Sequence, residues 1–312
     1  MRVLVTGGAG FAGGHLLEHL ADRFDLVAWS RRDPPEHLAS LANWCAVDIT
    51  NRDAVRAAVR DLRPTRIYHL AGFPHIAESW RDAARPLAVN ALGTHYLLDA
   101  VRREHIGARV LIVSSAAVYA ASDAPLTEEA RLSPTTPYGR SKLAEEQLGL
   151  HAWADDGIEV MIARAFNHIG PRQAPTFAAA SFARQIATIE SGDAVPIISV
   201  GSLDAQRDLT DVRDVVRAYA GILERGTPGS IYNVASGVAW TMRSILEMLV
   251  ARGRVSVRVE TDPKHLRPSD APIVVGDAAR VRLATGWQPL IPIERTLDDL
   301  LNDWRTRIAG GL

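Results

Sequence analysis

Short apolar runs alternate with longer segments of helical periodicity along the first half of the chain. The run at residues 2–6 is followed by a glycine-rich turn and then by leucines at helical spacing. Further apolar runs occur at residues 26–29, 45–47, 66–70, 110–113 and 160–163. This alternation of strand and helix predicts buried parallel strands, with helices covering both faces of the sheet.

Beyond about residue 165 the alternation becomes less regular. Amphipathic helices are predicted at residues 211–225, 241–252 and 293–309. Proline-containing stretches at 125–137 and 262–272 indicate loops. We therefore predict an α/β protein with a doubly wound parallel sheet (Rossmann) at residues 1–165, whose core sheet also receives later segments. A smaller substrate-binding α/β subdomain is predicted at residues 166–312.

The glycine-rich turn after the first strand has the features of a dinucleotide site. Gly7, Gly10 and Gly13 are spaced three residues apart between a strand and a helix. Glycine lets the backbone approach a pyrophosphate, and the N-terminus of the next helix offers free N–H groups and a positive dipole end. We expect the pyrophosphate of a nicotinamide dinucleotide at this turn.

Two arginines follow the second predicted strand and bear on the choice of dinucleotide. Ser30, Arg31 and Arg32 stand where an NAD-binding enzyme of this fold carries an acidic residue. Two guanidinium groups favour the 2'-phosphate of NADP, so we expect NADP (NADPH), with two solvated surface arginines as the alternative. Asp48, after the third strand, is either an acceptor for the adenine amino group or a helix cap.

Three further residues predict hydride-transfer chemistry. Tyr138 and Lys142 share one face of a predicted helix that runs to about Ala154. An ammonium beside a phenol stabilises the phenolate, which suits a group that exchanges a proton with a carbonyl or an alcohol. Ser115 ends the fifth strand, so its hydroxyl lies at the carboxyl edge of the sheet, where ligands of such sheets bind.

These motifs resemble the extended short-chain dehydrogenase/reductase family, in its nucleotide-sugar branch, from residue 2 to about residue 308. Leu70–Gly72 is similar to the family's loop beside the cofactor, and Asn90–Thr94 to its NxxGT segment. The resemblance implies that Tyr138 is the general acid or base, Lys142 the ribose ligand and Ser115 the partner of the substrate oxygen. The expected cofactor contacts are Gly7, Gly10, Phe11, Ala12, Gly13, Ser30, Arg31, Arg32, Asp48, Ile49, Leu70, Ala71, Gly72, Asn90, Tyr138 and Lys142.

The residues after Ser115 narrow the choice within this branch. Its dehydratases carry an acidic residue within two positions of the catalytic Ser or Thr, whereas this chain has Ala116 and Ala117. Methyl groups cannot exchange protons, so we do not expect a 4,6-dehydration. Members that combine epimerisation with reduction rely on a Cys and a His, but Cys45 falls in the predicted third strand. The reactions that remain as candidates are reduction of a keto sugar and C4 epimerisation.

Four later segments are similar to those of the branch's reductases of GDP-4-keto-6-deoxy-D-mannose. They are residues 166–173, 206–215, 266–270 and 285–289. The resemblance implies NADPH-dependent reduction at C4 with GDP-D-rhamnose as the product. A nucleotide-sugar 4-epimerase with tightly bound NAD and a reductase that forms the 6-deoxytalose epimer are the alternatives, whereas a non-catalytic relative is disfavoured by the complete catalytic set.

A GDP-sugar substrate requires groups that bind phosphate and guanine. The expected substrate contacts are Asn167, Arg172, Arg207, Arg267 and Asp270. Arg207 and Arg267 suit the diphosphate because guanidinium groups bind phosphate oxygens bidentately, and Asp270 suits guanine N–H donors. The roles of His75, Glu78 and His168 are left open.

Composition excludes several other classes. The 312 residues are 47% hydrophobic and 23% charged, which is typical of a globular protein. The 35 Lys and Arg residues nearly balance 36 Asp and Glu residues, so we expect no nucleic-acid partner. A single cysteine argues against a disulfide framework or a cysteine-rich zinc module and suits a reducing compartment. Neither a long apolar run nor a signal peptide is present, so we expect a cytoplasmic protein without a membrane span and without a metal.

The family resemblance also implies a homodimer. Members commonly pair the helix that carries the catalytic tyrosine and the helix at about 86–104 with the same helices of a second copy, as a four-helix bundle. The apolar residues available on these helices are Leu97, Leu98, Val101, Leu143, Leu148, Leu150 and Trp153.

Overall fold

The computed structural model describes residues 1–263 and 272–311, in which strands and helices alternate as predicted. The strands are β1 (Arg2–Thr6), β2 (Asp25–Ser30), β3 (Asn43–Ala46), β4 (Arg66–His69), β5 (Arg109–Ser115), β6 (Glu159–Ala165), β7 (Asn167–Ile169), β8 (Ile197–Val200), β9 (Gln206–Asp211), β10 (Ile231–Val234), β11 (Ala239–Thr241), β12 (Arg258–Thr261) and β13 (Ile273–Val274). The α-helices are α1 (Phe11–Leu20), α2 (Arg52–Leu62), α3 (Ile76–Ser79), α4 (Ala84–Pro86), α5 (Gly93–Arg103), α6 (Pro137–Ala154), α7 (Ala178–Glu190), α8 (Val212–Arg225), α9 (Met242–Ala251), α10 (Ala279–Thr285) and α11 (Ile293–Ala309).

Seven parallel strands form the large sheet, in the order β10-β6-β5-β4-β1-β2-β3. This arrangement confirms the predicted doubly wound α/β fold, and β10 is a later segment that joins the core sheet. The strand order changes direction between β1 and β4. A crevice forms at the carboxyl ends of strands at such a point, and ligands of open α/β sheets bind there.

Alternate residues of the central strands pack against opposite helical layers. Val3 and Val5 of β1 lie in one apolar cluster with α1 and α8, whereas Leu4 lies in another with α2 and α5. All three side chains are fully buried. The continuous apolar run of β1 follows from this burial on both faces.

The third strand departs from the prediction of a buried strand at residues 45–47. β3 runs instead from Asn43 to Ala46, and Cys45 is exposed. In the described residues it pairs with β2 alone, at the edge of the sheet. An edge strand lacks a neighbour on one side, so an apolar run there does not require burial.

The later part of the chain forms smaller sheets around a second apolar cluster. β9 pairs with β11, β13 and β7, and β8 pairs with β12. The cluster draws its buried side chains largely from α7, α9 and α11. The structure confirms the predicted helices at 211–225, 241–252 and 293–309 as α8, α9 and α11, while the domain division at residue 165 stays a prediction.

None of the helices in the described residues has the length and apolar character needed to cross a membrane.

A buried ion pair fixes α6 against the sheet. Arg164 of β6 donates from Nε and Nη2 to the two carboxylate oxygens of Glu146, at 2.9 and 2.7 Å. Both side chains are almost completely buried, and the Ser114 hydroxyl donates to Glu146 as well. Arg164 also donates to the Tyr119 hydroxyl at 2.9 Å. These contacts hold the ends of β5 and β6 in place relative to α6.

Replacement of Arg164 with Met should destabilise the fold strongly, because it leaves the Glu146 carboxylate buried without a counter-charge. We expect the free energy of unfolding in urea to fall by about 3–5 kcal/mol. Arg60→Met removes an arginine whose ion pair with Asp61 is exposed, and should leave the unfolding curve unchanged. An equally small effect of both variants would contradict a structural role for the buried pair.

Candidate active site

The glycine turn forms a backbone cradle at the N-terminus of α1. Gly7 has a φ of +71°, and a Cβ there would lie 2.8 Å from the backbone nitrogen of Ala71. A Cβ at Gly13 would lie 2.2 Å from the carbonyl oxygen of Gly7. Gly10 is the N-cap of α1 and has no side chain to occupy the helix end. The N–H groups of the first turn are therefore available to an anion.

The residues predicted to select the cofactor lie at the carboxyl ends of β2 and β3. Arg31 and Arg32 are exposed and form no ion pair within the described residues, while the Ser30 hydroxyl accepts from the backbone N–H of Arg32 at 3.1 Å. Hydrogen bonds from the backbone and hydroxyl of Thr50 lower the pKa of Asp48, and Arg31 adds a smaller effect. Arg31 therefore lies within electrostatic range of Asp48.

Asp48 is not the cap of the helix that follows it, which was one of its two predicted roles. The side chain of Asn51 caps α2 by accepting from the backbone N–H of Ala54 at 3.0 Å. Asp48 uses one carboxylate oxygen, Oδ1, to accept from Thr50, so the other oxygen is available to a ligand. The side chain of the neighbouring Ile49 is buried, which leaves its backbone as the part that a cofactor could contact.

The loop after β4 passes directly over Lys142. A Cβ at Gly72 would lie 3.4 Å from Lys142 Nζ and 3.1 Å from Asn90 Oδ1. Asn90 is fully buried, accepts from the backbone N–H of Phe73 at 2.7 Å and donates to the Ser141 hydroxyl at 2.8 Å. Its side chain is thus hydrogen-bonded within the protein, and the expected cofactor contact stays a prediction. It positions the loop that includes Leu70, Ala71 and Gly72.

Close packing brings the first turn of α6, which carries Tyr138, against the turn that follows Ser115. Ser115 ends β5, and Tyr138 is the second residue of α6, which begins at Pro137 as predicted. A Cβ at Gly139 would lie 2.4 Å from the carbonyl oxygen of Ala117, so the first turn of α6 packs against the turn after β5. The Ser115 oxygen accepts from the backbone N–H of Ala117 at 3.2 Å, and its own hydrogen is left to donate.

Lys142 is buried one helical turn after Tyr138. Its ammonium donates to the carbonyl oxygen of Val113 at 2.8 Å and to Glu145 Oε2 at 2.7 Å. Burial opposes the charge, but Glu145, Tyr138 and Glu146 together outweigh it, and the pKa of Lys142 is raised. The phenol of Tyr138 is within electrostatic range of the ammonium. A third ammonium hydrogen is left for a ligand.

Sequence analysis missed the polar network beneath this lysine. The Thr94 hydroxyl lies 3.1 Å from Glu145 Oε1 and 2.9 Å from His69 Nε2. His69 Nδ1 lies 2.8 Å from the hydroxyl of Thr6 at the end of β1. Burial, with a contribution from Lys142, lowers the pKa of His69 to about 3, so this histidine is neutral. The sequence does contain one signal of this network: Glu145 is a charged residue three positions after Lys142, on a helical face that is buried.

Arg172, a predicted substrate contact, is held by an ion pair within the protein. Its guanidinium forms a bidentate ion pair with Glu18 of α1 at 2.5 and 2.6 Å and lies 2.7 Å from His15 Nδ1. Glu18 is seven residues along α1, or about 10 Å from the glycine cradle at its start. This ion pair links α1 to the segment after β7, and a contact between Arg172 and the substrate stays a prediction.

The remaining predicted substrate residues fall into two groups. Asn167 is exposed at the start of β7, and Arg207 lies on β9, where its guanidinium donates to the Gln206 carbonyl at 2.8 Å. β9 pairs with both β7 and β13, so Asn167 and Arg207 belong to one sheet. Arg267 and Asp270 lie outside the described residues.

Three residues of open role have distinct surroundings. The ring of His168 stacks on Phe11 of α1, with centroids 5.7 Å apart. The ring of His75 stacks on Phe177, which precedes α7, at 5.7 Å. Glu78 is exposed on α3, and that helix reaches α6 through Ser79, whose hydroxyl accepts from the backbone N–H of Tyr138 at 3.3 Å.

Gly13→Ala should disrupt dinucleotide binding, because its Cβ would overlap the Gly7 carbonyl and displace the cradle. We expect the Kd for NADPH, measured by quenching of protein fluorescence, to rise by at least about tenfold. Gly107→Ala is the control, since a Cβ there meets nothing within 4 Å. Unchanged NADPH binding by a folded Gly13→Ala variant would place the dinucleotide elsewhere.

Comparison with known proteins gives one consistent family. Residues 4–300 match the family described as GDP-mannose 4,6 dehydratase. The GDP-6-deoxy-D-mannose reductase of Pseudomonas aeruginosa is 37% identical over 310 residues, which cover 98% of each chain. The solved structure of RMD from Pseudomonas aeruginosa complexed with NADPH aligns with a TM-score of 0.86 at 36% identity, over 98% of this chain and 99% of that chain.

A UDP-glucose 4-epimerase from Thermus thermophilus, solved in complex with NAD, aligns with the same TM-score of 0.86 but only 27% identity, over 98% of this chain and 99% of that chain. The higher identity to the reductase extends over nearly the whole of both sequences. These matches confirm the family resemblance that the glycine turn and the Ser115, Tyr138 and Lys142 set predicted. The chain belongs to the GDP-mannose 4,6-dehydratase family of extended short-chain dehydrogenases/reductases.

Proposed function

We propose that this protein is an oxidoreductase that uses NADPH to reduce the C4 ketone of GDP-4-keto-6-deoxy-D-mannose to GDP-D-rhamnose. One observation carries the proposal: the start of α6, with Tyr138 and Lys142, packs against the end of β5 at Ser115, while Ala116 and Ala117 follow the serine. The site has the groups for hydride chemistry at a carbonyl and lacks the neighbouring acid of the branch's dehydratases. The 37% identity to a GDP-6-deoxy-D-mannose reductase supports the same function.

The residues present fit a nicotinamide dinucleotide phosphate. Side chains at Gly7 and Gly13 would fill the cradle at the start of α1, and glycine leaves it open to the pyrophosphate. Arg31 and Arg32 are exposed where the adenosine ribose lies in this fold, and they match a 2'-phosphate. The free carboxylate oxygen of Asp48 suits the adenine amino group. The third hydrogen of Lys142 suits the nicotinamide ribose.

Each catalytic side chain has a separate task. NADPH, when bound, supplies the hydride that C4 receives. Ser115 donates its hydroxyl hydrogen to the C4 oxygen and stabilises the negative charge that develops there. Tyr138 transfers its phenolic proton to the same oxygen, which completes the alcohol and leaves a phenolate beside Lys142.

The dehydratase reaction that gives the family its description is disfavoured in this chain. Elimination of water across C5 and C6 needs a base for the C5 proton and an acid for the departing hydroxyl. Ala116 is buried and, like Ala117, carries no exchangeable proton. Substrates already dehydrated by another enzyme therefore match this site, and the substrate is a 4-ketone rather than GDP-mannose.

A nucleotide-sugar 4-epimerase is the second candidate, because the Thermus thermophilus epimerase shares the fold over the same length. An epimerase returns the hydride that it removes, so it retains NAD and needs no added reductant. Exposed arginines at positions 31 and 32 suit NADP, which exchanges between turnovers. They therefore favour the reductase.

The GDP group suits the C-terminal part of the chain. Arg207 on β9, with Arg267, supplies guanidinium forks for the diphosphate, and Asp270 supplies acceptors for guanine. Asn167 lies on the neighbouring strand β7 and is exposed toward a ligand.

We also propose a homodimer in the cytoplasm. Seven apolar residues are predicted for its interface. Three of them, Leu97, Leu98 and Val101, are buried in the core, so they cannot meet a second copy. Leu87 and Leu92, just before α5, are 46% and 50% exposed and are better placed on the surface. A second copy packed on these residues and α6 would form the four-helix bundle. A mass measurement by light scattering tests the dimer.

The activity is tested with purified protein, NADPH and GDP-4-keto-6-deoxy-D-mannose supplied by a separate dehydratase. We expect loss of reduced-nicotinamide absorbance and GDP-D-rhamnose as the sugar product. Tyr138→Phe should bind NADPH with unchanged Kd and lower kcat by at least about a hundredfold, since it lacks the proton donor. Near-normal turnover by this variant would exclude the mechanism. A 6-deoxytalose product would reverse the assigned face of C4, and tightly bound NAD without turnover would favour the epimerase.

Loss of the two arginines should reduce the preference for NADPH. In the double variant that carries both Arg31→Ala and Arg32→Ala, we expect the KM for NADPH to rise by about tenfold or more, because charge-assisted hydrogen bonds to the 2'-phosphate are lost. The KM for NADH should stay constant, since NADH has no such phosphate. Arg60→Ala, on the exposed face of α2, is the control and should change neither value. Equal loss of NADH and NADPH use would refute a 2'-phosphate site.

A further inference from the structure

Glu145 is a fully buried carboxylate in contact with the proposed catalytic lysine. Its Oε2 lies 2.7 Å from Lys142 Nζ, and its Oε1 lies 3.1 Å from the Thr94 hydroxyl. The side chain is 0% exposed. Burial raises the pKa of Glu145, and the Lys142 ammonium and the Thr94 hydroxyl act against that rise. The charged carboxylate therefore depends on its ion pair with the ammonium.

The other titratable side chains near this pair are neutral or already compensated. His69, from β4, is neutral because burial lowers its pKa to about 3. Burial also raises the pKa of Tyr219, from α8, far above its usual value, so this phenol stays protonated. Neither side chain balances the charge of Lys142.

Glu146 follows Glu145 on α6, but its carboxylate is already matched. Both of its oxygens accept from Arg164 of β6, at 2.9 and 2.7 Å. That pair is electrically neutral as a unit. Glu146 has only a smaller effect on the pKa of Lys142, and the direct counter-charge is Glu145 at 2.7 Å.

This balance bears on the tyrosine one turn earlier. An uncompensated ammonium beside a phenol favours the phenolate, which is the form that accepts a proton from an alcohol. A carbonyl reduction needs the opposite form, because Tyr138 must enter each turnover with a proton to donate. A carboxylate against the ammonium weakens the pull of Lys142 on the phenolic proton.

We propose that Glu145 is a positioning residue for proton donation, which holds Lys142 against the Val113 carbonyl and cancels its charge beneath Tyr138. In this role it favours the protonated form of Tyr138, which ketone reduction needs, over the phenolate, which alcohol oxidation needs. The proposal rests on the proposed function for its biological meaning. The charge balance itself is testable without any sugar substrate.

The test is a titration of phenolate absorbance at alkaline pH in the full-length protein. The contribution of Tyr138 is the difference between each protein and its counterpart that also carries Tyr138→Phe. In Glu145→Gln, which keeps the size and loses the charge, we expect this contribution to develop at a pH about one unit lower than in the parent protein. An unchanged or higher midpoint would overturn the proposal.

Thr94→Val is the matched control. It removes a hydroxyl from the same buried network but leaves the charge of Glu145 in place, so the melting temperature should fall while the Tyr138 midpoint stays constant. A midpoint shift in Thr94→Val equal to that in Glu145→Gln would show that disruption of the network, and not charge, moves the proton.

A second variant keeps the test decisive if Glu145→Gln does not fold. Glu145→Asp retains the charge one methylene farther from Lys142 Nζ, so a smaller shift in the same direction is expected, and its absence would contradict the proposal. Turnover of GDP-4-keto-6-deoxy-D-mannose by the parent protein is measured separately. Its failure would reject the proposed function and leave the result of the titration standing.

Discussion

The rest of the site depends on the contacts that hold the buried ammonium of Lys142. It is held between the Val113 carbonyl at the end of β5 and the carboxylate of Glu145 on α6, so it joins the sheet edge to the catalytic helix. The loop after β4 can pass over it because Gly72 has no side chain. An ammonium in this position requires the polar network beneath it, since an unpaired charge would be too unfavourable to bury.

Local sequence motifs predicted the parts of the site that depend on local backbone geometry. The cradle at Gly7 and Gly13 follows from a strand, a turn and a helix that are adjacent in sequence. The pair Tyr138 and Lys142 follows from the helical repeat. In both cases the pattern contains the structural reason, and the parallel sheet around them followed from the alternation of apolar runs with helical segments.

Tertiary contacts decided the positions that sequence patterns did not predict. Arg172 forms an ion pair with Glu18, which lies 154 residues away in sequence, and no local pattern predicts that ion pair. The link from Glu145 through Thr94 to His69 joins three separate elements. The burial of β3 was overestimated for a related reason, because an apolar run does not reveal that its strand lies at a sheet edge.

The proposed reaction is a reduction, so its substrate is the ketone and not the alcohol. The most direct measurement uses NADPH that carries deuterium at the transferable position of the nicotinamide, with GDP-4-keto-6-deoxy-D-mannose as substrate and mass and NMR analysis of the sugar. Reduction by direct hydride transfer predicts one deuterium at C4 of the product for each NADPH oxidised. A sugar converted without deuterium at C4, or with NADPH left unconsumed, would contradict it.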